Sequence, residues 1–109
     1  MEYIKIGHGG GFVGKEDNFT LYLDGIIESE GVSFRKLSKN DVAQLKENYS
    51  KLGIKSIEKT NPGNLYKFLE FNFDNKVHRI VWNGVEQEED KNLNLYYTYF
   101  NHLIQKAKK

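Results

Sequence analysis

The chain has 109 residues and no cysteine, and its 16 lysine and arginine residues nearly balance 15 aspartate and glutamate residues. This length fits one domain, residues 1–109, that buries roughly two-thirds of its unfolded surface. The lack of cysteine excludes disulfides, thiolate catalysis and zinc–thiolate sites, and the balanced charge predicts no nucleic acid partner. No apolar run approaches the roughly 18 residues of a membrane span. With no signal peptide evident, a cytoplasmic protein is expected.

The first predicted strand covers about Tyr3 to Ile6 and either ends there or resumes past a glycine-rich segment, Gly7 to Lys15. This segment fits G-x-G-x-x-G and G-x-x-x-x-G-K, patterns that hold phosphates at a helix N-terminus. Glu16, however, stands where a P-loop needs Ser or Thr, and the residues after it alternate like a strand. We therefore expect no nucleotide cofactor. The glycines are assigned to backbone geometry, either a bulge or bend or the close approach of another backbone.

Three apolar residues, Phe19, Leu21 and Leu23, share one face of a second predicted strand. Asp24-Gly25 predicts a two-residue type I′ turn, because both residue types tolerate positive φ. The third strand is expected from Ile26 to Phe34.

A helix is expected after Ser38, whose hydroxyl can accept a hydrogen bond from the amide of Asp41. Gly53 supplies the left-handed residue that ends it. The segment Ile54 to Ile57 is consistent with a short strand before a turn at Thr60 to Asn64. The helix carries one apolar stripe, formed by Val42, Leu45, Tyr49 and Leu52.

A second hairpin is predicted from Leu65 to Phe73 and from Lys76 to Trp82, around Asp74-Asn75. An acidic run, Glu86 to Asp90, then precedes a final helix whose apolar arc spans about 120°. That arc consists of Leu93, Tyr96, Tyr97, Phe100, Leu103, Ile104 and Ala107. The order β-β-β-α-β-β-α predicts an α+β fold, an antiparallel sheet of about four to five strands with two helices packed on one face.

The candidate binding residues come from the glycine-rich segment and from the last strand: His8, Gly9, Gly10, Gly11, Arg79 and Trp82. Trp82 either anchors a protein partner, since Trp is enriched at interaction hot spots, or packs in the core. The three histidines show no metal-ligand spacing, so neither a metal nor a cofactor is expected.

Taken in order, these residues resemble a group of small bacterial domains of unknown function. The shared features are the glycine-rich opening, a hairpin of the F-T-L-x-x-D-G type, a capped helix and a tyrosine-rich closing helix. They also include an N-P-G-N turn, here Asn61 to Asn64, and an H-R-I-V-W strand, here His78 to Trp82. The resemblance implies the fold and carries no activity. Many members look like parts of exported or lipid-anchored proteins, which makes export the alternative to a cytoplasmic location.

The leading hypothesis is a non-enzymatic binding module that uses a sheet edge or the glycine-rich loop against a protein partner. The alternative is a small hydrolase or transferase that uses His8 with the backbone amides of Gly9 to Gly11. An enzyme should have a cleft on which His8 and a carboxylate converge, whereas a binding module should have a flat or edge-strand surface. The sequence leaves the oligomeric state open.

Overall fold

A computed structural model describes residues 2–11, 14–33, 36–60, 63–84 and 90–107. Within those ranges the protein has an α+β fold, with one antiparallel sheet of six strands and two helices. The strands lie in the order β4-β3-β2-β1-β5-β6. Their bounds are β1 (Tyr3–Gly10), β2 (Lys15–Tyr22), β3 (Ile27–Ser29), β4 (Val32–Ser33), β5 (Leu65–Phe73) and β6 (Lys76–Asn83). The helices are α1 (Lys39–Lys51) and α2 (Lys91–Ala107), and a 3-10 helix covers Ile54–Ser56.

Strand β1 runs through the glycines instead of ending at Ile6, because β2 and β5 pair with it on both sides as far as Gly10. It forms a hairpin with β2, and the hairpin connection contains Gly11 and Gly14 at positive φ (79° and 67°). Phe12 and Val13 of the predicted glycine-rich segment lie outside the described residues. The strand expected after this segment is confirmed, so no helix follows the glycines.

The predicted third strand is divided into β3 and β4, which explains why the sheet has six strands instead of four to five. Glu30 and Gly31 both have positive φ (51° and 80°) and reverse the chain between them. The predicted type I′ turn at Asp24-Gly25 is wrong, because only Gly25 has positive φ (99°). The N–H of Tyr22 donates to the carbonyl of Ile26 across a three-residue loop. Phe34 lies outside the described residues.

Helix α1 begins as expected, with the Ser38 hydroxyl accepting from the Asp41 amide at 3.1 Å. It ends before Gly53, whose φ of 73° is left-handed. The short strand expected next is wrong, since a 3-10 helix occupies that position. Asn61 and Pro62 of the predicted turn lie outside the described residues.

The second hairpin is confirmed, and Asp74 and Asn75 both have positive φ at its turn. Helix α2 also forms as predicted, and the carboxylate of Asp90 accepts from the amides of Asn92 and Leu93 at its start. Residues 86–89 of the acidic run lie outside the described residues.

One sheet face, here called the core face, carries the buried strand residues Ile4, Ile6, Leu21, Leu69, Phe71, Ile80 and Trp82. Side chains from both helices join the same apolar cluster, including Leu45 of α1 and Phe100 of α2, which are fully buried. The hydroxyl of Tyr96 on α2 donates to the carbonyl of Leu45 at 2.7 Å and connects the two helices. Within the described ranges, no helix has the length and apolar composition needed to cross a membrane.

Candidate functional site

The structure places the predicted binding residues on two faces of the sheet. Side chains alternate along a strand, so His8 of β1 and Trp82 of β6 belong to the core face, with Lys67 of β5 between them in register. Gly9 and Arg79 belong to the opposite face. The structure thus brings His8 and Trp82 to one side of the sheet and Gly9 and Arg79 to the other.

On the opposite face, two glycines of β1 lie beneath aromatic side chains of β5. Gly7 is opposite Phe68 and Gly9 is opposite Tyr66. A ring carbon of Phe68 is 2.7 Å from the position that a Cβ on Gly7 would take, and the Tyr66 hydroxyl is 2.6 Å from that position on Gly9. Phe68 is fully buried although it lies outside the main apolar cluster. The glycines therefore allow the two rings to lie across β1.

Arg79 extends across the same face from the edge strand β6. Its guanidinium carbon lies 4.1 Å from the centroid of the Phe68 ring. The guanidinium donates to carboxylate oxygens of Glu70 and Glu16, each at 3.2 Å. Arg79 thus covers Phe68 with a cation–π contact and joins β6 to β5 and β2.

Two tyrosines complete this arrangement. Tyr3 donates to Glu70 and Tyr66 donates to Glu16, each at 2.6 Å. The hydrogen bond to Glu70, together with burial, raises the pKa of Tyr3 to about 12. The hydrogen bond to Glu16 likewise raises the pKa of Tyr66, because an adjacent carboxylate disfavours the phenolate. We call these five side chains the Arg79 network: Tyr3, Glu16, Tyr66, Glu70 and Arg79.

Trp82 is buried, with 4% of its surface exposed. Its ring meets that of Tyr97 edge-on, with 5.4 Å between the centroids. Of the two roles that the sequence leaves open for Trp82, the structure therefore provides packing in the core.

The glycine amides are largely engaged within the fold. The N–H of Gly11 donates to the carbonyl of Asn64 at 2.8 Å. Gly9 and Gly10 pair with β2 on one side and β5 on the other. This geometry leaves Gly9 to Gly11 poorly arranged as a cluster of open donors for an anion.

His8, in contrast, is exposed and lines a groove beside β2. His8 is opposite Asp17 in the β1–β2 register, and the Asp17 carboxylate lies 3.6 Å from the Lys15 ammonium group. The groove has a volume of about 550 Å³, and a narrower cavity that reaches Tyr97 adjoins it. We call it the β2 groove and define it by His8, Asp17, Phe19, Ser29, Val32 and Gln105.

The backbone of β2 projects hydrogen-bonding groups toward this groove. The N–H of Tyr22 donates to the carbonyl of Ile26, and the carbonyl of Tyr22 accepts from the N–H of Gly25. Both groups of Tyr22 therefore point away from β1. Because strand geometry repeats every two residues, Thr20, Asn18 and Glu16 point the same way. Among the described residues, the backbone of β3 pairs with β2 only at Thr20 and Leu21, and the Ser29 hydroxyl of β3 donates to the Asn18 carbonyl at 2.7 Å. The outer edge of β2 beyond β3 therefore begins at the N–H of Asn18 and continues to Glu16.

Sequence reasoning missed Asp17, although a hairpin register would have placed it opposite His8. Gly10 pairs with Lys15 next to the turn, and the following pairs are Gly9 with Glu16 and His8 with Asp17. Recognition of the glycine-rich segment as a hairpin connection would therefore have found the His8–Asp17 pair. Gln105 lines the β2 groove only because α2 packs beside the sheet, and no local sequence pattern specifies that packing.

No family model, curated protein or solved structure matches the chain. The resemblance to small bacterial domains of unknown function therefore stays a prediction. Among the described residues, no group of three histidine, aspartate or glutamate side chains is placed to hold a metal ion.

Proposed function

We propose that the protein is a non-enzymatic binding module that takes an extended peptide along the outer edge of β2. The observation that carries this proposal is the early end of β3, which pairs with β2 only at Thr20 and Leu21 within the described part of the chain. A peptide strand would continue the sheet there by bonding to the N–H of Asn18 and to the outward backbone groups of Glu16, since the Asn18 carbonyl already accepts from the Ser29 hydroxyl. This is β-augmentation, in which main-chain hydrogen bonds supply affinity and pockets for alternate side chains supply specificity.

The β2 groove would receive the peptide side chains that point to the core-face side. Its apolar contacts come from Phe19 and from Val32, which is 57% exposed. Asp17 and Glu30 contribute carboxylates. Side chains alternate along an extended peptide, so these groups fit a peptide that carries an apolar side chain and, two residues further on the same face, a lysine or arginine, since opposite charges set register and suppress wrong partners.

We also propose that both helices cover the core face of the sheet and leave the β2 edge accessible. Tyr49 of α1 and Tyr96 of α2 both contact Phe71, with centroid separations of 4.2 and 5.6 Å. Tyr97 of α2 contacts Trp82 on the same face. The other sheet edge is less suitable, because the carbonyl of Lys59 already accepts from the N–H of Val81 on β6.

The test compares two substitutions at Asn18. Asn18→Pro removes the outward N–H and leaves the pairing with β1 possible, as proline is tolerated where its missing donor faces outward. Asn18→Ala removes the side chain and keeps the N–H. Peptides selected from a random displayed library on the wild-type protein are titrated against all three proteins by fluorescence polarisation.

The proposal predicts that Asn18→Pro weakens peptide binding by about tenfold or more, the equivalent of roughly one hydrogen bond. Asn18→Ala should stay within about threefold of wild type. If Asn18→Pro binds the peptides as well as Asn18→Ala, or if selection yields no peptide, β-augmentation at β2 is wrong. Thermal melts verify that both variants are folded.

One observation favours the alternative of a small hydrolase or transferase: His8 and Asp17 line the same groove. The engaged amides of Gly9 to Gly11 do not support their expected role in that chemistry. A panel of carboxylate and phosphate esters tests this alternative, with His102→Ala as the control because His102 is also exposed. Turnover that is lost in His8→Ala and kept in His102→Ala would establish the enzyme.

The cytoplasmic location, and its alternative of export or lipid anchoring, stay predictions. The peptide-binding proposal does not depend on them.

A further inference from the structure

A second cavity, of about 530 Å³, lies between α1 and the turn of the β5–β6 hairpin, and its lining residues differ from those of the β2 groove. Its volume is within the range of small-molecule sites, about 300–1,000 Å³. The residues that matter here are Tyr49, Lys55, Glu58, Phe73, Lys76 and His78.

The apolar part of this cavity is aromatic. The ring of Tyr49 meets that of Phe73 edge-on, with 5.2 Å between centroids. Val77, also in the lining, is 63% exposed. An apolar group of a ligand would therefore find both a ring surface and an aliphatic side chain.

The hydrogen bonds of His78 determine what Tyr49 can offer to a ligand. His78 Nε2 lies 2.8 Å from the carbonyl oxygen of Ile57, which can only accept, so Nε2 carries the proton. In the neutral ring Nδ1 is then an acceptor, and the Tyr49 hydroxyl, 2.8 Å away, donates to it. The Tyr49 proton is thus committed to His78, and its oxygen remains an acceptor toward the cavity.

Charges of both signs line this cavity, and three of them have no ion-pair partner among the described residues. Lys55, Glu58 and Lys76 make no ion pair with any residue in the described part of the chain. Lys46, by comparison, also lines the cavity but is bonded to Glu2 at 3.1 Å. The negative charge of Glu58 acts on Tyr49, because it adds to burial in raising the pKa of that phenol.

Neither a simple anion nor a simple cation fits this lining. An anion bound by the lysines would be placed near the carboxylate of Glu58, and Asp74 adds another carboxylate to the lining. A cation bound by Glu58 would be placed in a cavity that three lysines line, Lys46, Lys55 and Lys76. Like charges brought together in this way disfavour binding. A ligand that carries both charges would satisfy both sets of groups.

We propose that this cavity binds a small zwitterion of the amino-acid class. Its ammonium group donates to the Tyr49 oxygen and to Glu58, its carboxylate pairs with Lys55 and Lys76, and its side chain packs against Phe73. This site is separate from the peptide site at β2, and either can exist without the other.

The first experiment screens the common free amino acids by calorimetry and NMR titration. The amino acid that binds most tightly is then compared with its deamino acid, which lacks the ammonium group, and with its amide, which lacks the carboxylate. We expect saturable binding of the zwitterion and at least about tenfold weaker binding of both analogues, since each loses charge-assisted hydrogen bonds. No saturable binding of any amino acid, or equal binding of the deamino acid, would overturn the proposal.

Variants at exposed positions then show which residues bind the ammonium group of the ligand and which bind its carboxylate. Glu58→Gln should weaken binding of the zwitterion by about tenfold and leave the affinity for the deamino acid unchanged or higher. Lys76→Gln should weaken binding of both ligands. Matched controls are Glu47→Gln and Lys51→Gln, which change an exposed ion pair of 3.1 Å on α1 outside the cavity lining. Cavity variants that bind like these controls would refute the assignment.

Discussion

The ring of Phe68 on β5 lies across Gly7 on β1, with a ring carbon 2.7 Å from the position that a Cβ on Gly7 would take. The carbonyl oxygen of Asp17 on β2 is closer still to that position. Gly7 is thus enclosed by a side chain on one side and by backbone on the other. Arg79 covers Phe68 from above, so the absence of a side chain at Gly7 makes room for the ring on which the Arg79 guanidinium lies.

This relationship predicts that alanine is tolerated differently at two glycines of the same strand and face. Gly7→Ala should destabilise by about 3 kcal/mol, because the Asp17 carbonyl belongs to a paired strand and cannot move away. Gly9→Ala should cost less, about 1–2 kcal/mol, because its nearest neighbour is the outer end of Tyr66, which can turn aside at the loss of its hydrogen bond to Glu16.

Denaturant melts measure both variants. Neither position has a positive φ, so the comparison isolates steric contact from backbone strain. Equal losses of stability at the two positions would contradict the steric role of the Asp17 carbonyl at Gly7.

Two leucines on the helices provide a matched test of the core. Leu45 on α1 is fully buried, and Leu95 on α2 is 57% exposed. Leu45→Ala should cost about 2–5 kcal/mol, from lost transfer free energy and a residual cavity. Leu95→Ala should stay within about 0.5 kcal/mol of wild type. Chemical denaturation checks both, and a loss below about 1 kcal/mol for Leu45→Ala would place the α1 stripe outside the core.

Tyr3 gives the protein a sensitivity to alkaline pH. Its hydrogen bond to Glu70 raises the pKa of Tyr3 from 10.0 to about 12 in the folded state. The folded protein therefore keeps a proton that the unfolded chain loses near pH 10. Its contribution to stability is complete below pH 10 and is lost as pH rises toward 12.

Glu70→Gln removes the negative charge beside the phenol and should return the pKa of Tyr3 toward 10. The difference in tyrosinate absorbance between wild type and Tyr3→Phe isolates this residue during an alkaline titration. Glu47→Gln is the control, since Glu47 pairs with Lys51 on α1. If Tyr3 titrates in Glu70→Gln as it does in the wild type, Glu70 is not the cause of the raised pKa of Tyr3.

Local patterns were sufficient for most of the fold. The Ser38 cap, the end of α1 at Gly53 and the arc of α2 each depend on residues within one element, and each is confirmed. The division of the third strand was missed because Glu30 adopts a positive φ of 51°, which is uncommon for a residue with a long side chain. Strand order and the extension of β1 depend on pairing with distant β5, which no local pattern contains.

The candidate site was harder to predict because it depends on which face each residue occupies. Alternation along β6 separates Arg79 from Trp82, but it does not place the Glu16 carboxylate within reach of Arg79, 63 residues away in sequence. From the sequence alone, Glu16 is only an obstacle to phosphate binding. In the structure it accepts from both Tyr66 and Arg79, contacts that exist only after β2, β1, β5 and β6 have assembled.

The glycine-rich segment should not bind nucleoside triphosphates, despite its match to phosphate-binding patterns. A strand follows it, so the helix N-terminus that holds phosphate in such loops is missing. The Gly11 amide is bonded to Asn64, and the Lys15 ammonium group lies 3.6 Å from the Asp17 carboxylate. We expect no heat of binding when millimolar ATP or GTP is titrated with magnesium into the wild-type protein.

The variant Glu16→Ser distinguishes the two missing parts of a P-loop. It supplies the hydroxyl that would contact magnesium but leaves the strand in place of the helix, so it should also fail to bind. Binding by Glu16→Ser alone would show that the carboxylate was the only obstacle. Saturable binding by the wild type that is lost in Lys15→Ala would show instead that the segment is a phosphate site, and the structural role given to its glycines would be wrong.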